Sequence, residues 1–166
     1  MSKNDTLVND TILTAALKDL VDAAHLDRSY DIPYLAGYSF DRNIVYIDRR
    51  MPKSYKNRFG RVHDTDKFLI LHECTEKAII DIWKLDYQHA HQIALRAERA
   101  AVQAAGLDWK EYDAFMQKYI KADEHEKIKR VPADLDLTPY YDEKDAKLIK
   151  VIKGAMGNEQ PQNKGS

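Results

Sequence analysis

The sequence predicts a mostly α-helical, single-domain α+β fold with a short β-hairpin packed near a pair of helices. Three observations carry that expectation. Several stretches repeat apolar residues at helical spacing. One stretch, residues 34–48, places two short strand-forming runs on either side of an Asp/Asn turn. The 166 residues, 44% of them hydrophobic, suffice for one domain with a substantial core. That domain is expected to span residues 1–155, with a disordered tail over 156–166 that has little apolar content.

Thr6 to Leu26 reads as a first helix, its stripe formed by Leu7, Ile12, Leu13, Ala16, Leu17, Leu20, Val21 and Ala24, with Thr6, Asp10 or Thr11 as cap. Leu26 to Asp31 reads as a loop. Tyr34–Ser39 and Ile44–Asp48 form the hairpin, and Pro52 stops its second strand. Lys53 to His63 is polar and basic and reads as an exposed connection. Asp64, Thr65 or Asp66 caps a helix over 66–83, which Leu85-Asp86 breaks. A third helix runs from Tyr87 or Gln88 to about Ala105 and ends at Gly106. Asp108 and Glu111 have capping-box spacing and open a fourth helix carrying Trp109, Tyr112, Phe115, Met116, Tyr119 and Ile120. Pro132 and Pro139 interrupt the mixed segment 121–141, and Asp142 to Ala155 reads as a final amphipathic helix.

Composition narrows the function. The formal net charge of -1 gives no global field toward nucleic acid or anionic lipid. No apolar run approaches bilayer length, so no membrane partner is expected. The N-terminal MSKNDTLVND lacks the basic-then-apolar pattern of a signal peptide. Cys74 is the single cysteine, so no internal disulfide forms, and a cytoplasmic location is expected.

The chemistry sits in DKFLILHECTEKAIIDIW, residues 66–83. His72 and Glu76 are four residues apart, roughly 40° from one another around a helix, on the face that carries Phe68, Ile79, Ile80 and Trp83. That face is expected to point into the core, where ionisable groups need a partner. The third helix repeats the pattern. Its stripe is Tyr87, His91, Ala94, Glu98, Ala101 and Ala105, with His91 and Glu98 about 20° from the same azimuth and alanines that permit close helix approach. If the two helices pack, His72, Glu76, His91 and Glu98 converge. Two imidazoles and two carboxylates bind a divalent transition metal. Glu73, about 100° from His72, borders such a site with the geometry of a general base.

His72-Glu73-x-x-Glu76 resembles the His-Glu-x-x-His helix of zincin metallopeptidases, with Glu76 standing where the second His belongs. The resemblance implies a metal held by His72 and Glu76 and Glu73 as base. As in the gluzincin branch, a third ligand comes from the next helix, where Glu98 and His91 compete. It implies metal-activated water attacking an amide or related bond of a peptide or small molecule. It also implies a substrate-binding strand ahead of the helix, for which Ile44–Asp48 is the candidate. Zinc is the expected ion, and the Glu76 carboxylate shifts preference toward manganese, iron or magnesium.

Blander readings stand beside these. The same residues suit a non-catalytic structural or interaction protein, phage or bacterial, with a structural metal or a polar core network. His72 with Glu76 reads equally as a hydrogen-bonded pair, and Glu73 as a solvated residue. Cys74 reads as a small core thiol, His89 as exposed, and His25, His63 and His125 as surface residues. Tyr38, Tyr46 and Tyr87 are potential donors to an oxyanion but fit core packing. The basic run Arg49, Arg50, Lys53, Lys56, Arg58 and Arg61, with Tyr55 and Phe59, reads as a solvated loop, and nucleic-acid association is the remaining alternative.

Overall fold

The computed structural model describes residues 3–41, 43–121 and 127–158. The chain opens with α1 (Lys3–Ala23), followed by β1 (His25–Asp27), β2 (Ala36–Tyr38) and β3 (Ile44–Ile47). A second pair of strands, β4 (Ser54–Lys56) and β5 (Val62–Asp64), leads into α2 (Asp66–Trp83), α3 (Tyr87–Ala104) and α4 (Trp109–Lys121). The short α5 (Thr138–Asp142) and α6 (Ala146–Ala155) complete the mixed α+β domain. No helix of the described residues is long and apolar enough to cross a membrane.

The first three strands form a sheet in the order β1-β3-β2, with β1 parallel and β2 antiparallel to β3. The hairpin is as expected, and 28–31 is a loop, but β1 takes Leu26 and Asp27 out of the loop expected over 26–31. The β3 side chains alternate between two cores. Val45 and Ile47 pack with Phe68, Leu69, Val102 and Tyr112 beneath the large helices. Ile44 and Tyr46 pack with Val131, Leu135, Tyr140 and Ile152 from the C-terminal third. Burial on both faces explains why IVYI is apolar throughout. In β2, Gly37 allows the C-terminal segment to come close: a Cβ there would lie 3.0 Å from the Leu135 side chain.

Three further expectations are corrected. Segment 53–63 is largely exposed, as expected, but it is not a plain connection. It is a hairpin in which Tyr55 is buried against Phe115 and Tyr112, with ring centroids at 5.2 and 5.9 Å. Its turn is organised by Asn57, whose Oδ1 accepts from the N–H groups of Phe59 and Arg61, while Gly60 takes φ +78°. The last helix starts at Ala146 rather than Asp142, capped by Asp145, which accepts from Leu148 N at 2.9 Å. Met156 bridges to Val131, and Asn158 donates to the Lys129 carbonyl, so the fold runs past residue 155. The rest of the expected tail, 159–166, lies outside the described residues.

Fully buried Asp31 ties the two ends of the domain together. Its carboxylate accepts from Arg49 Nε at 2.6 Å and from the backbone N–H groups of Lys129 and Arg130 at 2.9 Å each. Burial alone would raise its pKa, but these hydrogen bonds outweigh burial and hold it below the ordinary carboxylate value. Such a group contributes stability above its unfolded pKa of about 3.9 and loses it as pH falls through the lower folded value. Asp31→Asn is therefore expected to cost about 2–3 kcal/mol near neutral pH. The gap to the native protein should close below about pH 4, as followed by urea unfolding at a series of pH values. A gap that persists undiminished into strong acid would show that the charge is not its source.

Candidate metal centre

Helix α2 buries Phe68, Leu69, His72, Glu73, Glu76 and Ile79. It ends at Lys84, which takes the left-handed conformation at φ 57° and donates its N–H to the Ile80 carbonyl. Trp83 lies in this last turn, beyond the core, and is 68% exposed, so the apolar stripe stops one turn earlier than expected. In α3, Asp86 caps the first turn by accepting from His89 N at 2.9 Å. Ala90 and Ala94 are fully buried and let α3 approach α2 closely. Ala105, placed on this stripe by its spacing, is exposed.

His72, Glu76 and His91 meet in the cleft between these helices. His72 Nε2 lies 3.2 Å from His91 Nδ1. His91 Nδ1 lies 3.0 Å from Glu76 Oε2, which is 3.4 Å from His72 Nε2. These three side chains form a group able to hold a metal ion. Ligands arranged tetrahedrally at ~2.0–2.1 Å from an ion are separated by ~3.3–3.4 Å, close to the sides of this triangle.

Glu98 lies on the other side of His72. Its Oε2 is 2.8 Å from His72 Nδ1, and its Oε1 accepts from the Tyr112 hydroxyl at 2.7 Å. With Nδ1 donating to Glu98, a neutral His72 turns the lone pair of Nε2 into the triangle. His91 Nδ1 faces both that lone pair and Glu76 Oε2, and one proton on it satisfies only one of them. The triangle is thus short of positive charge. A second proton on His72 or a cation supplies it. Burial disfavours imidazolium, yet the flanking carboxylates of Glu76 and Glu98 hold the His72 pKa well above its ordinary value. Burial likewise opposes ionisation of Glu76, but His72 and His91 keep its pKa low.

Tyr38 of β2 donates to Glu76 Oε1 at 3.1 Å, leaving Oε2 for the triangle. The Tyr87 ring packs on the His91 imidazole at 5.5 Å. Glu73 lines the same cleft, is only 8% exposed, and has no hydrogen-bond partner among the described residues. Burial and the neighbouring Glu76 push its pKa up to about 8. The cleft has a volume of about 190 Å³. That is below the ~300–1,000 Å³ typical of sites for drug-sized ligands, and it suits a side chain or a small molecule.

The structure therefore brings together all five residues singled out from the sequence, with Glu98 behind His72 rather than in the triangle. Strand β3 does not present a free edge for substrate, because β1 and β2 pair with both of its sides. The β2 strand lines the cleft instead. Tyr112 and the buried pair Lys77–Asp136, at 2.6 Å, escaped the sequence reading. Lys77 left one signal, a cation on the buried side of α2, four residues from Glu73. Asp136 and Tyr112 left none, since their contacts join distant segments.

The other reactive residues lie apart from this chemistry. His89 and His25 are exposed, and His63 is half-buried beside Asn57 and Tyr55. His125 lies outside the described residues. Cys74 is half-buried, its thiol pushed up to about 11 by burial and Glu73. Arg49 and Arg50 of the basic run pair with Asp31 and Asp48. No family model matches the chain, nor does any curated protein or solved structure.

Tyr112→Phe removes the donor to Glu98 Oε1 and leaves that buried oxygen unpaired. The expected cost is about 1–3 kcal/mol, measured by chemical denaturation. An unchanged midpoint would show that water or another donor replaces the hydroxyl.

Proposed function

We propose that this protein is a metal-dependent hydrolase with a zincin-like site. The observation that carries this reading is the triangle of His72 Nε2, Glu76 Oε2 and His91 Nδ1, with sides of 3.0 to 3.4 Å and unpartnered Glu73 on the same cleft wall. Two imidazoles and one carboxylate are a donor set that catalytic zinc accepts while keeping a further position open. Gluzincins take two His from one helix and a Glu from the next. Here the types are exchanged: Glu76 lies on the first helix and His91 on the second, so the donor set is the same.

A divalent ion held there would supply Lewis acidity, acidifying a water and polarising a carbonyl. The protein's own groups do the rest. Glu98 fixes the His72 tautomer and ring plane, as Tyr112 fixes Glu98. Glu73 takes the proton as the water oxygen bonds to the carbonyl carbon, and returns it to the leaving nitrogen as the C–N bond breaks. One water is consumed, and an acid and an amine leave.

A non-catalytic reading has its own support. The three triangle atoms lie within hydrogen-bonding reach of one another, and Tyr38 already satisfies the second oxygen of Glu76. A polar network or a structural ion would use the same contacts.

Metal analysis of purified protein tests the site. The expected result is about one ion per chain, lost in His91→Ala and in Glu76→Ala. Glu98→Gln should keep the ion but bind it about 10–100-fold more weakly. Metal content that is nil, or equal in all variants, rejects the ligand set. Turnover separates the two readings. Glu73→Gln should retain metal and fold while losing roughly 10²–10⁴-fold in rate against an amide substrate. Activity that survives this change removes Glu73 from the mechanism, and a native protein inactive against a broad amide panel favours the non-catalytic reading.

A further inference from the structure

The cleft wall has a one-sided chemistry. Glu73, Glu76, Glu98, Asp113 and Asp136 line it, and no lysine or arginine does. Lys77, outside the lining, neutralises Asp136. The imidazoles of His72 and His91 face Glu76 and Glu98. Two carboxylates are left over. Glu73 is buried without a hydrogen-bond partner among the described residues. Asp113, half-buried on α4, has Gln117 Nε2 at 3.4 Å as its hydrogen-bond partner. Asp113 stands four residues after Trp109 and four before Gln117, so all three share one face of α4, and all three line the cleft. Aromatic rings, including those of Trp109, Tyr34 and Tyr140, make up much of the remaining wall.

A buried carboxylate without a partner, as at Glu73, is costly; aromatic faces attract cations rather than anions, and the Trp109 ring already carries the Arg99 guanidinium at 6.0 Å. If Glu73 is the base, Asp113 remains with no task inside the metal centre. We propose that the cleft selects a substrate bearing an organic cation, a guanidinium or ammonium group next to the bond to be cut, with Asp113 as its counter-ion and Trp109 beside it. This names the substrate class of the hydrolase proposed above and rests on that reading. A lysine or arginine side chain of a peptide and a free small amine share this chemistry.

Binding tests it without any need for turnover. The protein has two tryptophans, and Trp83 is exposed and away from the cleft. Trp83→Phe leaves Trp109 as the sole reporter. Its fluorescence is titrated with Nα-acetyl-arginine amide, with the neutral isostere Nα-acetyl-citrulline amide, with Nα-acetyl-glutamate amide, and with agmatine as the free amine. Each titration is run on protein of measured metal content, before and after chelation. Arginine amide should bind about tenfold more tightly than citrulline amide, and glutamate amide most weakly. Asp113→Asn should abolish the preference and Asp113→Glu should keep it, with circular dichroism confirming the fold of each. Agmatine binding as tightly as arginine amide would identify a free amine as the ligand, and weaker binding a peptide side chain. Equal affinities for arginine and citrulline amides, a preference untouched by Asp113→Asn, or binding of no probe overturns the proposal. The two readings fail separately. A bound ion without arginine preference removes only the substrate class, and an arginine preference in protein that takes up no metal removes only the metal centre.

Discussion

The His72 imidazole is held at both nitrogens, by Glu98 on one side and by Glu76 and His91 on the other. A buried ring in that position cannot turn without leaving a carboxylate unpaired, and an unpaired buried carboxylate is among the most costly groups in a protein interior. The packing of α2 on α3 is therefore specified by polar geometry as well as by apolar contact. The alanines at 90 and 94 allow the close approach, and the His72–Glu98 bond sets where along the helices it occurs. Helix α4 is tied in through the Tyr112 hydroxyl, whose ring also packs on Phe68 at 5.5 Å. One residue thus links the apolar core to the polar one.

The C-terminal third enforces the other half of the site. Asp136 donates its backbone N–H to the Tyr38 carbonyl at 2.9 Å, and its carboxylate receives Lys77 from α2. The Lys77 ammonium lies 5.1 Å over the Tyr38 ring. Tyr38 is consequently fixed at its backbone and at its ring before its hydroxyl reaches Glu76. The absence of a side chain at Gly37 brings Leu135 and Tyr140 against β2 and makes this arrangement sterically possible. Segments nearly a hundred residues apart thereby determine which oxygen of Glu76 faces the imidazoles.

Local signals made the helical frame readable. Asp108 and the Gly106 stop mark α4 and the end of α3 because capping is a contact between near neighbours, whereas Asp86 read only as a break and is the α3 cap. The hairpin was readable for the same reason. Strand β1 was not: His25-Leu26-Asp27 shows no alternation, is largely exposed, and becomes a strand only by parallel pairing with β3, some twenty residues away. Tyr55 looked solvated among basic neighbours because a three-residue strand with one inward side chain leaves almost no periodic trace. Trp83 failed in the opposite sense, since an apolar stripe continued for one turn after the core had ended. In the site, helical spacing sufficed to place His72 with Glu76 and His91 with Glu98 on shared faces. Their division into a triangle and a residue behind it depends on which nitrogen of His72 each carboxylate meets, and spacing along one helix carries no information about that.

Charge gives the last constraint. The cleft gathers Glu73, Glu76, Glu98 and Asp113 in a wall whose lining includes no lysine or arginine. Protonating His72 neutralises part of that excess, and burial beside Glu76 raises the Glu73 pKa, so the wall carries less charge while no cation is bound. Both are ways in which a fold tolerates negative charge that it does not itself balance. A domain selected only for stability would do better with an apolar wall, because burying ionisable groups seldom improves on well-packed hydrophobic residues. That surplus of acid on one wall is the charge to which the proposed metal ion at the triangle and the proposed organic cation along α4 would be complementary.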